Sequence, residues 1–384
     1  MRDTLLPYGK QWLDEQDIEA VVEVLKSDYL TTGPTIELFE KAFASYVGAE
    51  YAIAFSNGTA ALHGACFAAG ITKGYEVITT PMTFAATANC ILYQGGTPIF
   101  ADIDKLTYNI EPMEIERKIS KNTKAIIPVD FAGQPAKLDE IKELAKKHNL
   151  IVIEDAAHAL GAMYKGRKVG SISDMSMFSL HPVKHITTGE GGIITTNNKE
   201  YYSKLRQFRS HGITREKDLI KNPDEPWYYE MHFLGYNYRM TDIQAALGIS
   251  QLKKADKFIE LRRNYAAMYK EAFTDIEQLI LPTQNRDTNS SWHLFIIQLR
   301  LEQLSASRKQ IIQDLLDNKI GVNVHYIPVY YHPYYQELGY TKGLCPNAEA
   351  LYASTITLPL FPKMTTLDVK NVIETVKKTI KNYV

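Results

Sequence analysis

The chain predicts an α/β protein: a mostly parallel central sheet wrapped by helices, followed by a smaller C-terminal α/β domain. Three observations carry that expectation. Strand-like and helix-like runs alternate over the first two thirds, the pattern of repeated βαβ units. Several strand runs lack polar alternation, as strands buried on both faces do. The character then changes after about Lys254, where longer helices flank only a few strand-like runs. We expect a large domain over 1–254 and a small one over 255–384. The length of 384 residues agrees, being too great for one small core.

In chain order, strands are expected at Tyr51–Phe55, Glu76–Thr80, Pro98–Asp102, Ala125–Phe131, Leu150–Asp155, Ser176–Leu180 and Gly192–Thr196. These runs are rich in Val, Ile, Phe and Thr. Between them, Thr59–Ala69 reads as a compact Ala-rich helix. Met113–Ile119 and Leu138–His148 carry apolar residues at three- and four-residue spacing. The segment Glu216–Glu230 holds two prolines and then Trp227-Tyr228-Tyr229, and reads as a long loop near a ligand. Beyond Lys254, helices over Asp256–Phe273 and Ser307–Asn318 flank a strand at His293–Leu299. Two more apolar runs, Gly321–Tyr326 and Ile356–Leu360, precede a last helix at Thr366–Lys381.

The bulk composition removes several function classes. Apolar content of 45% and charged content of 23% are those of a globular protein. A net charge of −1 offers nothing to nucleic acid or to an anionic membrane. No apolar run approaches the ~18 residues of a membrane span, and Met1–Lys10 has no signal-peptide pattern. Three widely spaced cysteines make no disulfide framework, so a reducing cytoplasm is expected. The 24 tyrosines suit wet pockets for polar ligands.

The chemistry gathers at strand ends. The run Phe178-Ser179-Leu180-His181-Pro182-Val183-Lys184 leads an apolar strand into a hydroxyl and then a lysine. The strand before it ends in Glu154-Asp155, with Glu154 expected to point the opposite way. A buried lysine has the neutral amine that an aldehyde needs, and an acid can hold a pyridine nitrogen protonated. Together they are what a pyridoxal phosphate (PLP) enzyme requires. Ser56-Asn57-Gly58-Thr59 is a polar turn opening a helix, a site for phosphate or an ordinary cap with Thr59 as its hydroxyl. Ser179 can add a hydroxyl there. Phe84 can stack on the cofactor ring or serve as core. His158, one turn beyond Asp155 on an expected helix, can touch the phenolic oxygen or satisfy a core hydrogen bond. His181 and His185 have helical metal spacing, but Pro182 lies between them and no acid follows, so no metal is expected. No Rossmann glycine fingerprint occurs, against a nicotinamide enzyme.

Read together, Ser56–Leu62, Glu154–Gly161, Ser179–Lys184 and Gly235–Ala246 resemble the PLP-dependent sugar-nucleotide aminotransferases of the DegT/StrS family. The resemblance runs in order over almost the whole chain. It implies the aspartate-aminotransferase-like fold, fold type I. It implies that Lys184 carries PLP and moves protons, that Asp155 pairs with the ring nitrogen, and that Phe84 stacks on the ring. His158 would lie near the phenolic oxygen, where many relatives carry Gln. Gly58, Thr59 and Ser179 would bind the phosphate, joined by Asn237 from a partner subunit in a homodimer with shared active sites. Tyr8, Asp28, Tyr29, Leu30, Thr31, His325, Tyr326, Ile327 and Pro328 would line the nucleotide-sugar site. Arg239 is either a partner for the donor carboxylate or a structural contact.

Segments such as His181–Thr188, Phe131–Pro135, Arg209–Gly212 and Val324–Val329 resemble the transaminases of pseudaminic acid biosynthesis within that family. They imply L-glutamate as donor and a UDP-linked 4-keto-6-deoxy N-acetyl hexose as acceptor, aminated at C4. Alternatives are another dTDP- or GDP-linked keto sugar, or a PLP-binding regulator without turnover. A sugar dehydratase is disfavoured because Lys184 stands where such relatives carry histidine.

Overall fold

The computed structural model describes residues 4–384. Seven strands form the central sheet: Tyr51–Phe55 (β1), Glu76–Thr79 (β2), Thr97–Phe100 (β3), Thr123–Ile127 (β4), Ile151–Asp155 (β5), Met175–Ser179 (β6) and Gly192–Thr196 (β7). Their order is β1-β7-β6-β5-β4-β2-β3. Within this sheet β7 alone runs against its neighbours, pairing antiparallel with β1 and β6. The contacts β6-β5, β5-β4, β4-β2 and β2-β3 are parallel.

Each strand divides its side chains between two cores. Ile53 and Phe55 enter one, Ala52 and Ala54 the other; Ile153 and Val152 split in the same way. Helices cover both faces, which is why the strand runs read as unbroken apolar sequence. The Gly58–Ala68 helix buries Ala60, Ala61, Ala65, Cys66 and Ala68. Small side chains let it lie close to the sheet: a Cβ on Gly64 would stand 3.0 Å from the Phe55 ring.

The C-terminal part carries a separate antiparallel sheet, Leu279–Ile280 (β8), Phe295–Leu299 (β9) and Thr355–Leu358 (β10), in that order. Tyr269, Phe273, Phe295, Ile356 and Val372 lie in its core, between this sheet and the helices Ala255–Phe273 and Thr366–Lys381. Leu6 belongs to the same core. Its N–H donates to the Lys319 carbonyl (2.9 Å), and its carbonyl accepts from the Gly321 N–H (2.7 Å). Among the described residues, no helix is long and apolar enough to cross a membrane.

Three local expectations need correction. The strand expected to reach Phe131 ends at Ile127, because Pro128 has no N–H to continue the ladder, and Phe131–Gly133 form a single 3-10 turn. No helix follows Asp155. Successive turns (Ala159 N–H to Ala156 O, Ala162 N–H to Ala159 O) and left-handed Gly161 redirect the chain, so His158 stands on a turn. The apolar run Gly321–Tyr326 meets β10 only at Asn323, and then His325 and Tyr326 turn toward the site. Within Glu216–Glu230, a 3-10 turn at Lys217–Leu219 interrupts the loop, and Glu230 pairs with Thr214.

Candidate active site

The site lies where β1, β5 and β6 end, at the carboxyl edge of the parallel strands, where open α/β sheets hold ligands. Asp155 is the last residue of β5 and Ser179 the last of β6. The helix after β1 begins at Gly58, and Asn57, not Thr59, caps it: the Asn57 side chain accepts from the Ala60 N–H at 2.8 Å. That leaves the Gly58 and Thr59 N–H groups, and the Thr59 hydroxyl, without a partner among the described residues. Ser179 Oγ lies 3.6 Å from where a Gly58 Cβ would stand. A glycine was needed behind as well, since a Cβ on Gly192 would meet the Asn57 carbonyl at 2.5 Å. Open N–H groups at a helix start beside a free hydroxyl fit a phosphate.

Asp155 is only 4% exposed. Its Oδ2 accepts from the Thr87 hydroxyl at 2.7 Å, and its Oδ1 from the Ala157 N–H at 3.2 Å. Burial raises its carboxyl above the ordinary range; those two donors and the Lys184 charge pull it down. Such a buried carboxylate fits a partner cation like a protonated ring nitrogen. Glu154 points the other way, accepting from Ser176 Oγ at 2.6 Å. Asp130 and Glu154 are both buried, and burial holds both carboxyls above their usual range.

Lys184 sits in the turn after β6, half-buried, with its N–H donating to the His181 carbonyl at 2.9 Å. No hydrogen bond or ion pair ties its Nζ among the described residues. Burial lowers its ammonium from 10.5 to about 8; Asp155 opposes the shift and Arg262 adds to it. Near neutrality such an amine is still mostly protonated, but it holds a neutral fraction of about a tenth at pH 7, far above that of an ordinary lysine, and it faces a carboxylate.

Around this pair, the expected residues fall into two groups. Phe84 is 64% exposed, and its ring stands 6.5 Å from that of Tyr326. Tyr326 shares a 3.0 Å hydrogen bond with His158 Nε2, while His158 Nδ1 is buried without a partner among the described residues. Burial, then the Lys184 charge, holds His158 well below its usual range, so it is neutral. Tyr8 and His325 rings lie 5.3 Å apart, and His325 Nδ1 is 2.9 Å from Thr357 Oγ1. Ile327 is exposed and Pro328 buried beside them.

The second group stands apart. Asp28, Tyr29, Leu30 and Thr31 are exposed, and their backbone pairs with Thr241 and Asp242. Asn237 is exposed with its side chain unbonded among the described residues. Arg239 pairs with Phe55 by backbone, and its Nε is buried without a partner among the described residues. Of the two histidines at metal spacing, His185 is buried, its Nε2 3.1 Å from the Ser291 carbonyl, and His181 is exposed.

Sequence reading passed over Thr87, Arg262 and the Ser290–His293 segment. For Arg262 a signal existed. It falls in register with Ala255, Phe258, Ile259, Tyr265, Ala266 and Tyr269, the apolar stripe of its helix.

Fold and site together define a class: the aspartate-aminotransferase-like, fold type I enzymes that work with PLP. Residues 11–377 match the DegT/DnrJ/EryC1/StrS aminotransferase family, and the chain belongs to it. It is 43% identical over 382 residues to the spore coat polysaccharide biosynthesis protein SpsC of Bacillus subtilis, covering 99% of this chain and 98% of that one. Against the UDP-4-amino-4,6-dideoxy-N-acetyl-beta-L-altrosamine transaminase of Campylobacter jejuni, identity is 40% over 374 residues, covering 97% and 96%. Helicobacter pylori PseC, an aminotransferase involved in the biosynthesis of pseudoaminic acid, superposes with a TM-score of 0.92 at 36% identity, covering 99% and 100%. The chain is a PLP-dependent sugar aminotransferase.

Proposed function

We propose that this enzyme moves an amino group from L-glutamate to C4 of a UDP-linked 4-keto-6-deoxy N-acetyl hexose, in pseudaminic acid biosynthesis. One observation carries the reaction: an amine with its proton affinity lowered to about 8 faces a buried carboxylate beside an anion cradle. The likeness to the Campylobacter and Helicobacter proteins supports the choice of sugar. SpsC is as similar, so the acceptor is the part that an assay must decide.

Bound PLP supplies an aldehyde that captures amines and a ring that takes up the electron pair left when an α-proton departs. Lys184 holds the cofactor between turnovers. Once displaced, its Nζ would carry the proton from the α-carbon of glutamate to the cofactor's C4′ carbon and, in the second half, from that carbon to C4 of the sugar. Asp155 keeps the ring nitrogen protonated. Gly58, Thr59 and Ser179 would hold its phosphate, Phe84 would pack on its ring, and His158, oriented by Tyr326, would lie near its phenolic oxygen. Tyr8 and His325–Pro328 line the sugar nucleotide.

Asn237 and Asp28–Thr31 serve the site of a second subunit in a homodimer. Both are exposed; Thr31 bridges Thr241, four residues beyond Asn237 in the chain, and Met231 and Leu234 in the same stretch are also exposed. We keep the division into 1–254 and 255–384, supported by the separate C-terminal core, with Leu6 crossing over. Three free cysteines suit a cytoplasmic protein.

The test is incubation with PLP, glutamate and a panel of UDP- and dTDP-4-keto-6-deoxy sugars, with mass analysis of products. Amination of the UDP N-acetyl sugar with matching release of 2-oxoglutarate is expected. Acceptance of dTDP sugars alone would overturn the acceptor. A Lys184→Ala protein with normal glutamate-dependent amination would overturn the mechanism.

A further inference from the structure

Arg262 is fully buried, yet no carboxylate pairs with it among the described residues. A buried charge without a counter-ion is costly and must be held by many hydrogen bonds. Here every acceptor is a backbone carbonyl. Nη1 donates to Leu360 (2.7 Å), His293 (3.1 Å) and Trp292 (3.4 Å). Nη2 donates toward Val183 (3.4 Å) and Lys184 (3.5 Å). One side chain thus joins the backbone of the lysine to two segments of the C-terminal part.

The Ser290–Leu294 segment is itself tightly fixed. Ser291 N–H donates to the Gly133 carbonyl at 3.0 Å, and Ser291 Oγ to the His158 carbonyl at 3.2 Å. Arg263 Nε donates to the Ser290 carbonyl at 2.9 Å. A Cβ on Gly133 would meet Trp292 N at 2.8 Å and His293 N at 2.9 Å, so the fit leaves no slack. An arginine gripping this strap at one end and the lysine turn at the other transmits that rigidity to Lys184.

We propose that Arg262 is the positioning residue of Lys184: it fixes the lysine's backbone against the Ser290–Leu294 strap and sets a positive charge near its amine. The inference rests on the reading of Lys184 as the reactive amine. The groups facing that amine are Asp155, Arg262 and the histidines 158, 181, 185, 293 and 325. Burial holds all five histidines below their ordinary range. Arg262 is therefore the cation that opposes Asp155.

The test compares full-length wild type with Arg262→Met, Arg262→Gln and Arg262→Lys. Potassium cyanate modifies the neutral amine of Lys184 in PLP-free protein, read by peptide mass against pH, and amination kinetics are measured with PLP restored. Wild type should show a midpoint near 8. Loss of the charge in the Met and Gln variants should raise it, slowing modification at pH 7.5 by about threefold or more, the effect of a half-unit rise. Arg262→Lys should keep the midpoint, but it lacks the fork that spans both segments. Its kcat should therefore fall about tenfold with KM for glutamate unchanged, the mark of a misplaced group. The Gln and Lys pair decides the matter if the Met variant does not fold. An unchanged midpoint in the neutral variants overturns the proposal, as does an unchanged kcat in the Lys variant. Loss of activity in Lys184→Ala alongside either result would leave the role of Lys184 standing while removing that of Arg262.

Discussion

Gly192 puts the phosphate cradle under direct test. It sits opposite Phe55 in the β1-β7 pair, immediately behind the helix start. A Cβ added there would stand 2.5 Å from the Asn57 carbonyl oxygen, 2.6 Å from its carbon and 2.8 Å from the Gly58 Cα. All three are backbone atoms, so no side chain can swing aside. The gap between 2.5 Å and an ordinary 3.4 Å contact is 0.9 Å. A displacement of that size carries the Gly58 and Thr59 N–H groups beyond hydrogen-bond range of a phosphate seated for the native turn. Losing one bond to a charged group costs about 1.5–3 kcal/mol, or roughly 10- to 150-fold in affinity. The Gly192→Ala protein should therefore bind PLP at least about tenfold more weakly. Absorbance titration of cofactor-free protein measures this, with circular dichroism confirming the fold. Native PLP affinity in a folded Gly192→Ala protein would refute the cradle.

Thr87→Val keeps the shape but removes the donor to Asp155 Oδ2. Asp155 must be ionised to pair with the ring nitrogen, so PLP binding is lost as pH falls through its titration. Burial already raises that titration and Thr87 lowers it; losing a bond worth about 1.5–3 kcal/mol should move the acid limit of binding up by about 1–2 pH units. Equal acid limits in the two proteins would count against this role. The Asp130-Glu154 pair bears on stability. Burial, then the Glu154 charge, raises Asp130 above its ordinary 3.8. A carboxyl so raised in the folded state takes stability away as pH climbs from about 3.8 through its folded value, and the loss is complete above it. Asp130→Asn keeps an acceptor for the Ala136 N–H and removes the charge. The unfolding free energy from urea titration should then fall less than in wild type as pH rises above about 3.8. The difference is about 1.4 kcal/mol for each pH unit by which the folded-state titration of Asp130 lies above its unfolded one. Parallel profiles would exclude the pair as the cause.

The parts of the site that rest on strand ends were readable from sequence. β5 and β6 are short apolar runs, and the residues that follow them necessarily emerge at one edge of the sheet, so Asp155, Ser179 and Lys184 could be placed together. The glycine turn at Gly58 was readable for the same reason. What sequence could not supply were contacts set by packing between distant segments. Thr87 and Asp155 are 68 residues apart, and His158 and Tyr326 are 168. The turn at His158 escaped notice because an Ala-rich stretch favours helix locally, whereas Gly161 and packing against Ser291 impose a bend. Arg262 shows the opposite case. Its place on an apolar stripe was visible, but an arginine is ordinarily assigned to the surface, and only the ring of carbonyls explains its burial.

Leu6 has a consequence for how the molecule is made. Its backbone partners, Lys319 and Gly321, are synthesised more than three hundred residues later. At about 5–20 residues per second, the N-terminal segment waits roughly 15–60 s on the ribosome before its docking place exists. The central sheet can assemble in that interval, whereas the core containing Leu6 closes only after Gly321 and β10 have been made. Joining β10 and its neighbours to Leu6 makes later-made residues the latch on an earlier-made one.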